Sequence, residues 1–268
     1  MTQLSVQPPQ TVLFLHIPKA AGTTLGSILD REYPAEATYV IAGRPQDTVT
    51  AFCELPVEQR HKIRMLRGHM GFGLHTYCAS PTTYLTFLRE PVARVISTYD
   101  YIRRTPVHTH YRRLMTGPMT LMDFVREGVS KVGVDNGQTR LLSGAPRAGD
   151  EIGFRECTRD LLEQAKTNLR ASFAVVGLME FFDASLLLAQ AALGWQTPYY
   201  ISKNATKEQS ARTTITDADR AVIAEYNQLD LELYACAQEL LKEQIQRQGP
   251  LFPLRVKAFA WRNRRQHP

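Results

Sequence analysis

The stretch TVLFLHIPKAAGTTLGSIL, residues 11–29, decides the fold. Thr11 to Ile17 is a near-continuous apolar run, the pattern of a strand buried on both faces of a parallel sheet. Pro18-Lys19-Ala20-Ala21-Gly22-Thr23-Thr24 interrupts it as a tight turn, and Leu25, Ile28 and Leu29 then recur at helical spacing. The reading is strand, turn, helix. Such a turn, at the carboxyl end of a buried strand and opening a helix, presents unpaired backbone N–H groups to an anion. Gly22 lets the backbone come close, Thr23 and Thr24 add hydroxyl donors, and Lys19 adds a point charge. The lysine precedes the glycine and the loop is shorter than GxxxxGK[ST], so a phosphate site fits and the usual Mg·NTP site does not. Taken alone, the same residues also fit an ordinary strand-to-helix turn with a surface lysine.

Working outward, Thr83 to Leu88 reads as a second strand that runs straight into Arg89-Glu90-Pro91. A helix starts near Pro91, a favourable first-turn residue, with Val92, Val95, Ile96 and Tyr99 on one face. Arg89 thus stands at a strand's carboxyl end, with Ser97 about two helical turns later. A forked guanidinium and a hydroxyl together hold a second phosphate, and two anion sites at two strand ends suit a nucleotide phosphorylated at both ends. Phe173 to Leu178 reads as a third strand, and Phe181 to Leu193 as a well-buried helix. Thr216-Asp217-Ala218-Asp219 resembles a capping box opening one long helix that stops by Gly249. Strands alternating with helices predict a parallel sheet covered by helices, in a single domain over residues 11–249.

Residues 1–10 are polar and read as a flexible N-terminus without a secretory pattern, and no apolar run reaches the length of a membrane span. From this the expected location is the cytoplasm, or the Golgi lumen if the chain is trimmed from a longer one. Cys53, Cys78, Cys157 and Cys236 lie far apart, with no zinc-ligand spacing. Five of the six net positive charges belong to Arg255, Lys257, Arg262, Arg264 and Arg265 in residues 250–268, where there is no acidic residue. The body of the chain is near neutral, so nucleic acid is not an expected partner. Phe259 and Trp261 interleave with those basic residues, which fits either contact with an anionic membrane surface or a disordered solubilising end.

HIPKAAGTT and FLREPVARVISTYDY resemble the 5′-phosphosulfate loop and the 3′-phosphate segment of the carbohydrate sulfotransferases, in particular the group of the heparan sulfate 2-O- and 6-O-sulfotransferases and bacterial relatives. Weaker similarities are Arg67-Gly68-His69, Asn136-Gly137-Gln138-Thr139-Arg140, VGLMEFFDASLLL and the loop from Lys203 to Lys207. The resemblance implies a P-loop nucleotide-kinase-like α/β fold and 3′-phosphoadenosine 5′-phosphosulfate (PAPS) as donor, with PAP as product and no metal. It implies that Lys19, Ala21, Gly22, Thr23 and Thr24 hold the phosphosulfate, that Arg89 and Ser97 hold the 3′-phosphate, and that Lys203 and Lys207 close over the nucleotide. It also makes His69 the general base and Lys19 the group that neutralises the leaving oxygen.

The acceptor is expected to be a carbohydrate or glycoconjugate, acidic ones included. His75 is the rival base, since without the resemblance His69 and His75 stand equal. His16 reads as a packed positioner. Asn136, Gln138 and Arg140 are candidates for lining the cleft, and Arg103 and Arg104 for contacting an acidic glycan, although each pattern also fits a solvated surface. A P-loop kinase and a non-catalytic nucleotide- or glycan-binding module are the competing functional classes.

Overall fold

The computed structural model describes residues 10–43, 45–117, 119–144, 151–196, 199–201 and 215–266. Within them, Thr11–Leu15 (β1), Thr38–Ile41 (β2), Met65–Gly68 (β3), Thr82–Leu88 (β4) and Phe173–Leu178 (β5) form one parallel sheet in the order β2-β3-β1-β4-β5. All five residues of β1 are buried, and Leu13 pairs with Leu66 of β3 on one side and Tyr84 of β4 on the other. That double pairing is why its sequence is apolar without alternation. The three strands expected from the sequence are β1, β4 and β5. β2 and β3 are four residues each, and half-exposed β2 at the sheet edge carries too little apolar pattern to stand out.

Helices cover the sheet. The first, Gly22–Glu32 (α1), buries Leu25, Ile28 and Leu29 against it. The helix Pro91–Arg103 follows β4, with Pro91 at its first turn as expected. It packs Val92, Val95, Tyr99 and Ile102 into a second apolar cluster with Phe124, Val125 and Ile223. The helix Phe182–Leu193 buries Leu186, Leu187 and Leu188. All four cysteines are free, and burial raises the thiol pKa of Cys78 to about 11 and of Cys157 to about 12.

Two expectations need correction. Thr216 does form its capping box with Asp219, but the helix it opens ends at Glu225, and a separate one runs Gln228–Arg247. The break is at buried Asn227, whose Nδ2 donates to the carbonyls of Ile223 and Val134 at 2.9 and 2.8 Å. A side-chain amide that ties the chain to a distant turn is invisible in a helical period. The basic C-terminal segment, for its part, is an ordered helix, Phe252–Gln266. Phe252 and Phe259 enter the core beside the Phe182–Leu193 helix, and Asn263 bonds both the N–H and the carbonyl of Tyr200 at 2.8 and 2.9 Å.

Candidate active site

The strand order reverses its direction of winding between β1 and β4, and in open α/β sheets ligands sit at the carboxyl ends of such a pair. The loop after β1 turns through two left-handed residues, Lys19 at φ 69° and Ala21 at φ 61°. Ala21 is the residue capping α1, and no side chain caps that end. The first N–H groups of α1 therefore have no side-chain cap, the arrangement that suits an anion. Thr23 is exposed there, while Thr24 is buried.

Arg89, at the end of β4, donates from Nη1 to the carbonyl of Lys19 at 3.1 Å, so the two candidate phosphate segments meet. Lys19 Nζ lies 3.8 Å from the centre of the Tyr101 ring. Its pKa is lowered to about 8, first by burial and then by the Arg89 and Arg104 charges. Ser97 is half-buried on the Pro91–Arg103 helix. Glu90 starts that helix by accepting the N–H groups of Val92 and Ala93 at 3.0 and 2.7 Å.

His69 follows β3 and is exposed at the same edge. Its Nδ1 is 3.2 Å from the carbonyl oxygen of His16, an acceptor only, so Nδ1 carries the hydrogen and Nε2 keeps a lone pair. Partial desolvation lowers the His69 pKa, and the bond to His16 opposes that shift. The His16 ring stacks on His69 at 4.4 Å between centroids, tilted by 25°. Burial, with help from His69 and Lys19, pushes the His16 pKa down to about 3, so this second imidazole stays neutral. Beneath it lies Gly22, where a Cβ would fall 1.7 Å from His16 Nε2. The loop after β1, His16 and His69 thus form one stack. Gly68 is required for a different reason: its φ is +144°, and a Cβ there would meet the Ile41 carbonyl oxygen. Arg67 holds α1 in place, bonding the Gly26 carbonyl at 2.9 Å and pairing with Asp30.

His75 is in a different setting. Its Nδ1 lies 3.0 Å from the Tyr84 hydroxyl, and its ring packs against Phe72 and Tyr84. That hydroxyl also accepts the N–H groups of Gly73 and His75. The rival imidazole is occupied in packing.

Asn136, Gln138 and Arg140, expected to line the cleft, are buried and engaged. Gln138 clasps the backbone of Arg89, accepting its N–H and donating to its carbonyl, both at 3.0 Å. Asn136 Oδ1 accepts the N–H groups of Leu229 and Asp230. Arg140 pairs with Asp135 and bonds the carbonyls of Ile152 and Gly153 at 2.8 Å each. A loop-like polar motif turns out to be a buried brace behind Arg89.

At its centre is Asp230, a residue without a sequence signal. It accepts the N–H groups of Gln138 and Thr139 at 3.0 and 2.7 Å and stands 3.6 Å from the fully buried Arg94. Desolvation lowers the Arg94 pKa, while Asp230 raises it. Arg103 and Arg104 are exposed. Arg103 lies over the Tyr99 ring and, with Leu114 and Met119, lines an open pocket of about 550 Å³. Lys203 and Lys207 fall outside the described residues.

The family model of the galactose-3-O-sulfotransferases matches residues 2–267 of the chain. The heparan-sulfate 6-O-sulfotransferase 3-B of Danio rerio is 26% identical to it over 290 residues, a match covering 90% of this chain. The chain spans 66% of that relative's length.

Proposed function

The chain belongs to the galactose-3-O-sulfotransferase family, and from that premise we propose that it moves a sulfo group from PAPS to a hydroxyl of a carbohydrate or glycoconjugate, with His69 as general base. The observation that supports this reading is the stack Gly22–His16–His69, in which an imidazole with a free Nε2 lone pair lies on the ring that packs against the loop after β1. A phosphosulfate fits the loop's chemistry, which offers uncapped helix N–H groups, a Thr23 hydroxyl and the nearby Lys19 cation, while Arg89, bonded to the Lys19 carbonyl, is left for the 3′-phosphate.

When bound, the donor supplies a sulfuryl group whose bridging oxygen leaves on phosphate. Nε2 of His69 takes the proton from the acceptor hydroxyl as its oxygen bonds to sulfur and the sulfur–oxygen bond to phosphate breaks. The bond from Nδ1 to the His16 carbonyl keeps His69 in the required tautomer and supports the imidazolium that forms. Lys19 leaves the Tyr101 face to meet the negative charge growing on the leaving oxygen, and an anion beside it raises its pKa from about 8 so that it stays protonated. Arg89 binds phosphate from its clasp on Gln138. His69 and Lys19 act on opposite ends of the transferred group, as in-line transfer requires.

Incubation with sulfate-labelled PAPS and a panel of neutral and acidic glycans tests the reading. Label should move to a glycan hydroxyl, and PAP should raise the melting temperature where Mg·ATP does not. Stabilisation by Mg·ATP alone would favour a kinase, and PAP binding without any transfer would favour a binding module.

A further inference from the structure

We propose that the Phe252–Gln266 helix docks the protein onto an anionic lipid surface, lying in the plane of the membrane interface. Two opposite faces of this helix are organised. Phe252, Val256, Phe259 and Asn263 recur at helical spacing and turn inward, where Phe259 stacks on Tyr199 and Asn263 clasps Tyr200. The spacing of Leu254, Ala258 and Trp261 puts them on the other side, and Leu251 precedes them by one turn. On that outer face Leu251 is 66% exposed, Leu254 61% and Trp261 51%.

Isolated exposed apolar residues are ordinary, but here they form a stripe on one helix. Basic residues border it on both flanks: Arg255 and Arg262 on one, Lys257 and Arg264 on the other, all exposed. Arg265 lies over the Trp261 ring at 4.0 Å, at the end of the stripe. No acidic residue occurs from Leu251 to Pro268. An apolar stripe rimmed by cations is the arrangement that inserts Leu and Trp at the acyl boundary while Arg and Lys meet anionic headgroups. The inner face is already committed to the protein core, so the helix is presented rigidly instead of folding upon contact. Among the described residues no helix is long and apolar enough to cross a membrane.

The charge pattern selects the occupant. A second copy of the same face would bring two sets of five cations together without acids between them. A sulfated glycan would satisfy the cations, but it has no use for Leu251, Leu254 and the exposed edge of Trp261. The lipid surface uses both halves.

The test is co-sedimentation of the full chain with phosphatidylserine-containing and with pure phosphatidylcholine vesicles, read together with tryptophan emission. Trp195 is buried, so a blue shift on vesicle addition reports Trp261. Binding is expected to phosphatidylserine vesicles, to weaken with salt, and to fall roughly fivefold for each basic residue neutralised. L254S/W261S should lose at least tenfold in partition coefficient at an unchanged melting temperature, because both positions are exposed. A Leu254→Trp substitution should tighten binding, so the proposal does not depend on losses alone. It is overturned if anionic vesicles do not bind the chain at low salt, or if the apolar variants bind as the wild type does. Retention on a heparin matrix lost in the charge variants, without any vesicle binding, would assign the face to a glycan instead. Concentration-dependent dimerisation abolished by L254S/W261S would assign it to a second copy. Either result overturns the lipid proposal and leaves the sulfo-transfer reading untouched.

Discussion

Replacing Gly22 with alanine tests whether the proposed phosphate loop and the proposed base are mechanically one unit. The added methyl would stand 1.7, 2.2 and 2.3 Å from Nε2, Cε1 and Cδ2 of His16. Gly22 is not at a positive φ and is the first residue of α1, so backbone strain plays no part. To regain an ordinary separation of about 3.5 Å from Nε2, the ring has to retreat by about 1.8 Å. It is held between Gly22, Phe14 and His69, so it must push His69 or swing out of the stack. Overpacking of this kind costs about 1–3 kcal/mol, and a lost ring stack about 0.5–1.5 kcal/mol. At about 2–4 °C per kcal/mol for chains of this size, Tm should fall by about 3–18 °C. A base displaced by about 1 Å loses on the order of a hundredfold in turnover.

The decisive assay is a double-mutant cycle with His16→Ala, measured by denaturant unfolding and by sulfate transfer. Once the ring is gone, Gly22→Ala should be neutral or slightly stabilising, because alanine is the better helix residue by about 0.5–1 kcal/mol. The coupling between the two positions should therefore be about 2–5 kcal/mol, at or above the upper part of the range found for contacting residues. If Gly22→Ala costs the same with and without His16, the steric reasoning is wrong, and the glycine serves the ligand alone.

The other predictions concern the base, the pH profile and the buried brace. His69→Ala should lower transfer by about 10²–10⁴-fold while PAP still raises Tm; loss of PAP-induced stabilisation would show that His69 belongs to the nucleotide site instead. In kcat/KM for the donor, the acid limb should lie below the ordinary histidine value, because desolvation lowers the His69 pKa and protonated His69 cannot accept a proton. The alkaline limb should begin near pH 8 as Lys19 loses its charge in the free enzyme; Lys19→Arg should shift that limb upward, and an unmoved limb would exclude Lys19 as its source. Asp230→Ala should destabilise by about 3–5 kcal/mol, because it leaves the Arg94 cation buried without its partner. A loss below about 1 kcal/mol in urea unfolding would mean that Arg94 finds another acceptor.

The strands most visible in the sequence were those buried on both faces. β1, β4 and β5 announce themselves by longer runs of apolar, aromatic and β-branched residues, whereas β2 and β3 do not. Four residues at a sheet edge carry no period, and β3 spends two of its four on Arg67 and Gly68, which serve α1 and the close approach to Ile41. The break at Asn227 was hidden for a related reason. Its cause is a hydrogen bond to Val134, far away in the chain.

By itself the sequence determined the local chemistry of the site: a buried strand, a turn with Lys19 and Gly22, a helix, and the same grammar again at Arg89 and Pro91. These are short-range consequences of apolar runs, turn residues and helix termini, and they need no partner to be read. Only the tertiary structure decided which polar side chains are buried as braces and which stay accessible at the strand ends. Gln138 and Arg140 look like loop residues until Arg89 and Asp135 close on them, and His69 parts from His75 only when His16 and Tyr84 take their places beside them. The reason is physical. A polar side chain's role is set by its hydrogen-bond partners and its burial, and here the partners come from strands and helices that lie far apart in the chain and meet only in the folded sheet.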